Sequence, residues 1–165
     1  MLSYPVLSRV DATGSLTIVP TVLIASDAPW VHDDIRAAIP GGDTVVRSLT
    51  SGQAVRAAVG EQRPDLVVLD MQMGDMGAVA VTYDLHLEES GGRLPNVPVL
   101  LLLDRQADTY MARQCGADGW LIKPLDPIRI RKAMNAVLAG GRFEDRSVAG
   151  DATTNFRPTA DSTAR

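Results

Sequence analysis

Four charged residues in this chain close apolar runs and so belong at strand ends. Asp27 follows Val22-Leu23-Ile24-Ala25-Ser26, Asp70 follows Leu66-Val67-Val68-Leu69, Asp104 follows Val99 to Leu103, and Lys123 follows Gly119 to Ile122. Open α/β sheets bind their ligands at the carboxyl ends of their strands. Asp27 and Asp70, placed after the first and third strands of such a sheet, are expected to meet at its switch point. Two carboxylates meeting there repel unless a cation lies between them. A hard, oxygen-liking ion such as Mg2+ suits the position, since it takes one or two carboxylates and several waters. Lys123 then offers a point charge to a bound phosphate. Each residue alone has an ordinary explanation, the aspartates as caps and Lys123-Pro124 as a surface turn. The set, at the right strand ends, points to a site.

The elements that must position these residues follow from periodicity. Leu66 to Leu69 is apolar without alternation, as expected of a strand buried on both faces of a parallel sheet. Val22 to Ala25, Thr44 to Ser48, Val99 to Leu103 and Gly119 to Ile122 supply four more strands. Pro29 suits the first turn of a helix, where Val31, Ile35, Ala38 and Ile39 recur at helical spacing until Pro40-Gly41-Gly42 stops it. Ser51 is placed to cap a second helix carrying Ala54, Val55, Ala58 and Val59. Ala78 to Glu89 forms a third, with Val81, Leu85 and Tyr83 as its inward candidates. Ala107, Tyr110, Met111 and Cys115 mark a fourth ending at Gly116, and Asp126 to Leu138 a fifth, with Ile130, Met134, Val137 and Leu138 in its stripe. Five strands alternating with five helices predict a doubly wound parallel sheet with helices on both faces.

Residues 1–19 lack clear periodicity and are expected to be an N-terminal extension, with Leu16 to Val19 able to pack locally. Residues 20–139 make the folded domain. Residues 140–165, rich in Gly, Ala, Thr, Asp and Arg, are expected to be a flexible tail, ordered at most where Phe143 or Phe156 packs.

With 165 residues, 45% of them hydrophobic and only 4% aromatic, the chain can bury one core built mainly of Val, Leu, Ile and Ala. A net charge of −4 argues against a nucleic-acid surface. The single cysteine, Cys115, fits a reducing compartment. With no signal-peptide pattern and no apolar run long enough to span or insert into a membrane, the expectation is a soluble, cytoplasmic protein. Asp27-Ala28-Pro29-Trp30 is unlike a glycine-rich nucleotide loop. Gln72 stands where an aspartyl hydrolase would carry its second acid. His32 and His86 are expected on helix surfaces. The chain is therefore not expected to be a free-standing enzyme.

Three segments carry a family resemblance. They are Val22-Leu23-Ile24-Ala25-Ser26-Asp27-Ala28-Pro29, then Pro64-Asp65-Leu66-Val67-Val68-Leu69-Asp70 with Met73, and Gly116-Ala117-Asp118-Gly119-Trp120-Leu121-Ile122-Lys123-Pro124. Over roughly residues 20–139 the chain resembles the receiver domain of bacterial two-component response regulators. The resemblance implies a flavodoxin-like fold with strand order 2-1-3-4-5. It implies a phosphorelay in which Asp70 accepts a phosphoryl group from a histidine kinase or a small phosphodonor. Mg2+ would be held by Asp27, Asp70 and the backbone carbonyl of Gln72. Lys123 would pair with the phosphate, and the Lys123-Pro124 bond would be cis.

The sequence departs from the family in places that bear on function. Ser26 replaces the first of two adjacent acids, so the metal site loses a charge. Leu103 replaces the hydroxyl residue that bonds the phosphoryl group and moves on activation, and Asp104 adds negative charge where a phosphate enters. Gly74 replaces a proline and widens the freedom of the loop. Trp120 keeps the switch aromatic, in a bulkier form. Two functions follow as expectations. One is a phosphorylatable receiver acting through contacts with a protein effector. The other is a degenerate receiver serving as a constitutive adaptor or accessory subunit of a larger assembly, with residues 1–19 and 140–165 as docking arms. Residues 140–165 are not expected to form an effector module, so output is expected through protein contacts and not through nucleic acid.

Overall fold

Strands apolar on both faces can only be satisfied by helices on both sides, and the computed structural model has that arrangement. It describes residues 8–10, 14, 16–39 and 44–146. In chain order the elements begin β1 (Ser8–Val10), β2 (Leu16–Ile18), β3 (Thr21–Ala25), α1 (Pro29–Ala38) and β4 (Val45–Leu49). They continue α2 (Val55–Glu61), β5 (Leu66–Asp70), α3 (Ala78–Ser90) and β6 (Val99–Leu103). A single 3-10 turn (Gln106–Asp108) leads into α4 (Thr109–Gln114), then β7 (Gly119–Ile122), α5 (Pro127–Leu138) and β8 (Phe143–Glu144). The main sheet has the order β4-β3-β5-β6-β7-β8 and is parallel throughout. The five strands expected from the sequence are β3 to β7, in the expected order 2-1-3-4-5. Among the described residues no helix is long and apolar enough to cross a membrane.

The pleat divides the core in two. Leu23, Ala25, Val67, Leu69, Leu101 and Leu103 point toward α2, α3 and α4, meeting Val55, Val59, Val81, Leu85 and Ala112. Val22, Ile24, Leu66, Val68, Leu100 and Leu102 point the other way, onto Val31 and Ile35 of α1 and Ile130, Met134 and Val137 of α5. Each such side chain is worth about 1.5–3 kcal/mol when fully buried. With both faces apolar, alternation cannot choose a register. Carboxylates at the strand ends supply what the pattern lacks. Asp65 accepts the Thr21 N–H at 2.7 Å, tying β3 to the start of β5, and Asp118 accepts the Val99 N–H at 2.8 Å, tying β6 to the start of β7.

Several local expectations are corrected. The sheet has six strands, because the start of the expected tail turns back after α5 and pairs as β8; Phe143 packs there, whereas Phe156 lies outside the described residues, as do Pro40-Gly41-Gly42. In the N-terminal segment β1 and β2 pair antiparallel. Ser51 caps no helix: Ala54 is the N-cap of α2, and the Ser51 hydroxyl donates to the Asp75 carboxylate. Tyr83 is half exposed, with its hydroxyl donating to the Gln114 carbonyl at 3.2 Å. Ala107, Tyr110 and Met111 face outward, while Asp108, Ala112 and Cys115 are buried. The 3-10 turn before α4 has a period of three, and this rotates the helix relative to a plain 3.6 reading.

One clamp joins the loops that flank the site. Asp75 accepts hydrogen bonds from the Ser51 hydroxyl, from the Gly52, Gln53 and Met76 N–H groups, and so ties the β5–α3 loop to the β4–α2 turn. A Cβ on Gly52 would fall 2.0 Å from the Met76 carbonyl oxygen, so only glycine lets the two loops meet. The Ser51 hydroxyl first, and then the backbone N–H donors, hold the Asp75 carboxyl far below its ordinary value of 3.8. A depressed folded-state value stabilises the fold above 3.8 and loses that contribution as the pH falls through it. Asp75→Asn is therefore expected to lower the thermal midpoint at neutral pH. Its deficit against the parent should shrink once the pH drops below 3.8. A deficit constant across that range, in thermal melts monitored by circular dichroism, would contradict this account of the clamp.

Candidate functional site

Asp70 ends β5 between β3 and β6, where the sheet's connections reverse direction, and is only 2% exposed. A buried carboxylate must be hydrogen-bonded, and both oxygens here are. Oδ1 accepts from Lys123 Nζ at 2.6 Å and Oδ2 from the Ser26 hydroxyl at 2.7 Å. Ser26 is fully buried, and its Oγ accepts the Ala28 N–H at 3.1 Å, which leaves its proton for Asp70. Serine thus supplies a donor where the family has a charge.

Lys123 comes from the β7–α5 connection, through a cis bond to Pro124. Its ammonium donates to Asp104 at 3.0 Å as well as to Asp70, and it lies 5.4 Å from the centroid of the half-exposed Trp30 ring. Burial pulls the ammonium's pKa down. The hydrogen bonds and charges of Asp70 and Asp104 outweigh it, and the result is above the ordinary 10.5. Asp104, expected to repel a phosphate, is thus paired with the cation that would receive one; among the described residues its buried second oxygen has no hydrogen-bond partner.

Asp27 and Asp70 sit at neighbouring strand ends as expected, yet among the described residues their carboxylates have no hydrogen-bond partner in common. Asp27 is exposed and accepts the Gly74 N–H at 3.0 Å, a bond that the family's proline could not donate. The departure at Gly74 therefore ties the loop to β3's end. Among the described residues no three His, Cys, Asp or Glu side chains are grouped to hold a metal. A divalent cation here would rest on Asp27, Asp70, the backbone carbonyl of Gln72 and water. That all-oxygen set suits Mg2+ in kind, and Gln72 is exposed.

Leu103 is fully buried at the end of β6 and can neither bond a phosphoryl group nor follow one. Trp120 is only 1% exposed; its indole Nε1 has no hydrogen-bond partner among the described residues, and the Arg113 guanidinium lies 5.3 Å from its ring. His32 corrects the expectation of a surface position: it is 7% exposed, with Nε2 2.8 Å from the Ser26 carbonyl oxygen, so it backs the residue that bonds Asp70. Its spacing of three from the inward Ile35 was the available signal. Nothing local in the sequence signalled the Trp30–Lys123 contact.

Comparisons with known proteins agree with this geometry. The family model for the response regulator receiver domain matches residues 22–135. Protein PilH of Pseudomonas aeruginosa is 28% identical over 120 residues, covering 72% of this chain and 98% of that protein. The probable transcriptional regulatory protein TcrX of Mycobacterium tuberculosis is 30% identical over 120 residues, 72% of this chain and 49% of its own length. The chain thus spans about half of some curated relatives and nearly all of others. Among solved structures, a LuxR-family two-component response regulator from Aurantimonas aligns with TM-score 0.67 and 24% identity, covering 79% of this chain and 93% of that one. The chemotaxis response regulator CheY4 of Vibrio cholerae aligns with TM-score 0.64 and 20% identity, over 72% and 98%. These last two likenesses speak to the fold alone.

Lys123 is the only cation bonded to Asp70 and Asp104 among the described residues. Lys123→Met should leave two neighbouring carboxylates uncompensated, one of them buried. Breaking a buried pair in this way costs about 3 kcal/mol, and urea unfolding at neutral pH should show a loss of that order. On the alkaline side, the contribution from the Lys123 charge is complete below 10.5 and fades as the pH climbs through the raised folded value. A variant as stable as the parent would mean that the pair does not hold the site together.

Proposed function

The chain belongs to the response regulator receiver family, and on that premise we propose that it accepts a phosphoryl group on Asp70 and signals through protein contacts in the cytoplasm. Receiver domains are signalling proteins rather than conventional enzymes, and they generally bind Mg2+ at the phosphorylation site. The observation that carries the proposal is the pairing of a buried aspartate at the switch point with Lys123 at 2.6 Å. A nucleophilic oxygen and the cation that can follow its charge onto a phosphoryl group are already in contact.

In the proposed step an Asp70 oxygen forms a bond to phosphorus. The bond from phosphorus to the histidine nitrogen of a kinase, or to the oxygen of a small acyl phosphate, breaks, and its electron pair leaves with that atom. The departing imidazole nitrogen takes up a proton from water. Catalysis consists of positioning and charge neutralisation. The Ser26 hydroxyl fixes the orientation of Asp70 by holding one oxygen, and Lys123 transfers its contact from the carboxylate to the phosphoryl oxygens. Asp27, Asp70 and the Gln72 carbonyl would hold Mg2+, which when bound offsets the negative charge gathered there. With Ser26 in place of an acid, its affinity for the site should be lower than with a full acid pair.

A second reading is supported by Leu103, which is buried and has no hydroxyl, and by Asp104, which competes for Lys123. In it the chain is a constitutive adaptor or accessory subunit of a larger assembly, and the phosphoswitch has decayed. The experiments differ for the two. Incubation with acetyl phosphate and Mg2+, followed by intact mass, should add one phosphoryl group in the parent and none in Asp70→Asn. Trp30, stacked against Lys123, should report the change in fluorescence. Failure to form any adduct at saturating donor would remove the first reading. Equal recovery of a protein partner by the parent and by Asp70→Asn would favour the second.

A further inference from the structure

β8 lies where a receiver sheet ordinarily stops. The chain leaves α5, and Phe143–Glu144 pair in parallel with Gly119 and Trp120 at the edge of β7. The seat is specific. The Phe143 N–H donates to the Asp118 carbonyl at 3.1 Å and the Asp145 N–H to the Trp120 carbonyl at 3.2 Å. A Cβ on Gly119 would come within 2.7 Å of the Phe143 carbonyl oxygen, so glycine at this strand position is what admits β8. The flanking helices grip the segment from both sides. Arg113 of α4 pairs with Glu144 at 3.1 Å while lying over the Trp120 ring, and Arg129 of α5 pairs with the Asp145 carboxylate, which is only 6% exposed.

The same contacts reach the phosphoacceptor site. The Asp145 carboxylate accepts the Ile122 N–H at 2.9 Å. Arg129, held by Asp145, donates to the Ile122 carbonyl at 2.8 Å and to the Pro124 carbonyl at 3.2 Å. The backbone on both sides of Lys123 is thus bracketed by the segment and by the arginine it holds, and from that backbone Lys123 reaches Asp70.

We propose that Phe143–Asp145 is an internal strap, seated on the edge of β7, whose seating and phosphoryl engagement at Asp70 oppose one another. A seated strap fixes the Ile122–Pro124 backbone in the position where Lys123 closes on Asp70, and it holds Arg113 over Trp120. Lys123 must give up that closed pair to follow a phosphoryl group. The Ile122–Pro124 backbone moves with it and loosens the strap, freeing the edge of β7. In this chain the strap performs the task that Leu103 cannot, connecting Asp70 to the surface by way of β7. The inference rests on Asp70 being the phosphoryl acceptor.

The test uses the full chain with Mg2+ and beryllium fluoride, a stable mimic of the phosphoryl group. Fluorine NMR reports occupancy at Asp70, and amide hydrogen exchange reports the strap. Binding should speed exchange at the Phe143 and Asp145 amides by about tenfold or more and leave β3 and β5 unchanged. Binding is reciprocal, so weakening the strap should tighten beryllium fluoride by about fivefold. Glu144→Ala is the variant of choice, because it removes a surface ion pair without touching the core; Asp145→Asn is the harsher companion. No fluoride signal would overturn the Asp70 reading and this inference together. Occupancy with unchanged protection at Phe143 and Asp145 would overturn the strap alone. So would unchanged affinity in a Glu144→Ala protein whose strap amides already exchange faster.

Discussion

The contact between Lys123 and Asp70 is the interaction on which the rest of this molecule depends. A carboxylate 2% exposed at the end of a buried strand is untenable without a counter-charge and a second donor. The fold delivers each from a different strand end, the ammonium from β7 and the hydroxyl of Ser26 from β3. Neither can arrive unless β3, β5 and β7 are held in parallel and in register. The register is fixed in turn by carboxylates at the opposite ends of the strands, Asp65 on Thr21 and Asp118 on Val99. Acids at one end of the sheet set the alignment that lets the acids at the other end carry a function.

How legible this was depended on the range of the interaction. Continuous apolar runs identify β3, β5, β6 and β7 almost to the residue, because burial on both faces leaves no alternative composition. Asp70 and Lys123 stand out by residue type at those ends, whereas the strand order is legible only through the family resemblance. Local phase was less secure. Tyr110 and Met111 were misplaced because a 3-10 turn rotates α4, and Ser51 was misread because its partner, Asp75, lies in a different loop. β8 was missed for a related reason: two residues carry too little pattern to announce a strand. What fixes Phe143–Glu144 is the absence of a side chain at Gly119 and the reach of Arg113 and Arg129, none of which is adjacent in sequence.

The departures from the family form a connected group in space. Ser26 removes a charge from the acid pocket and returns a hydrogen bond to Asp70. Gly74 removes a ring and returns an N–H to Asp27. Asp104 adds a charge and is bonded by the same lysine that serves Asp70. Each substitution alters the electrostatics of the pocket while leaving every oxygen of Asp70 satisfied. The surroundings of Asp70 have been rebuilt around an intact, fully hydrogen-bonded carboxylate.

Leu103 is the one departure with no such compensation inside the pocket. A leucine at the end of β6 contributes burial and nothing else, so signalling by a hydroxyl moving at that position is closed to this chain. A mechanical route from Asp70 to the surface runs through its hydrogen bond with Lys123 into the β7–α5 backbone. That backbone is bracketed by Asp145 and Arg129 rather than left at a bare sheet edge. Trp120, fully enclosed and with its N–H unpaired among the described residues, is held by packing from within and by Arg113 from above. An aromatic confined in this way is poorly suited to swing, whereas a two-residue strand held by a few hydrogen bonds and two ion pairs is suited to leave. The physical difference between those two elements makes the edge of β7, rather than the end of β6, the place where a change at Asp70 can become a change at the surface.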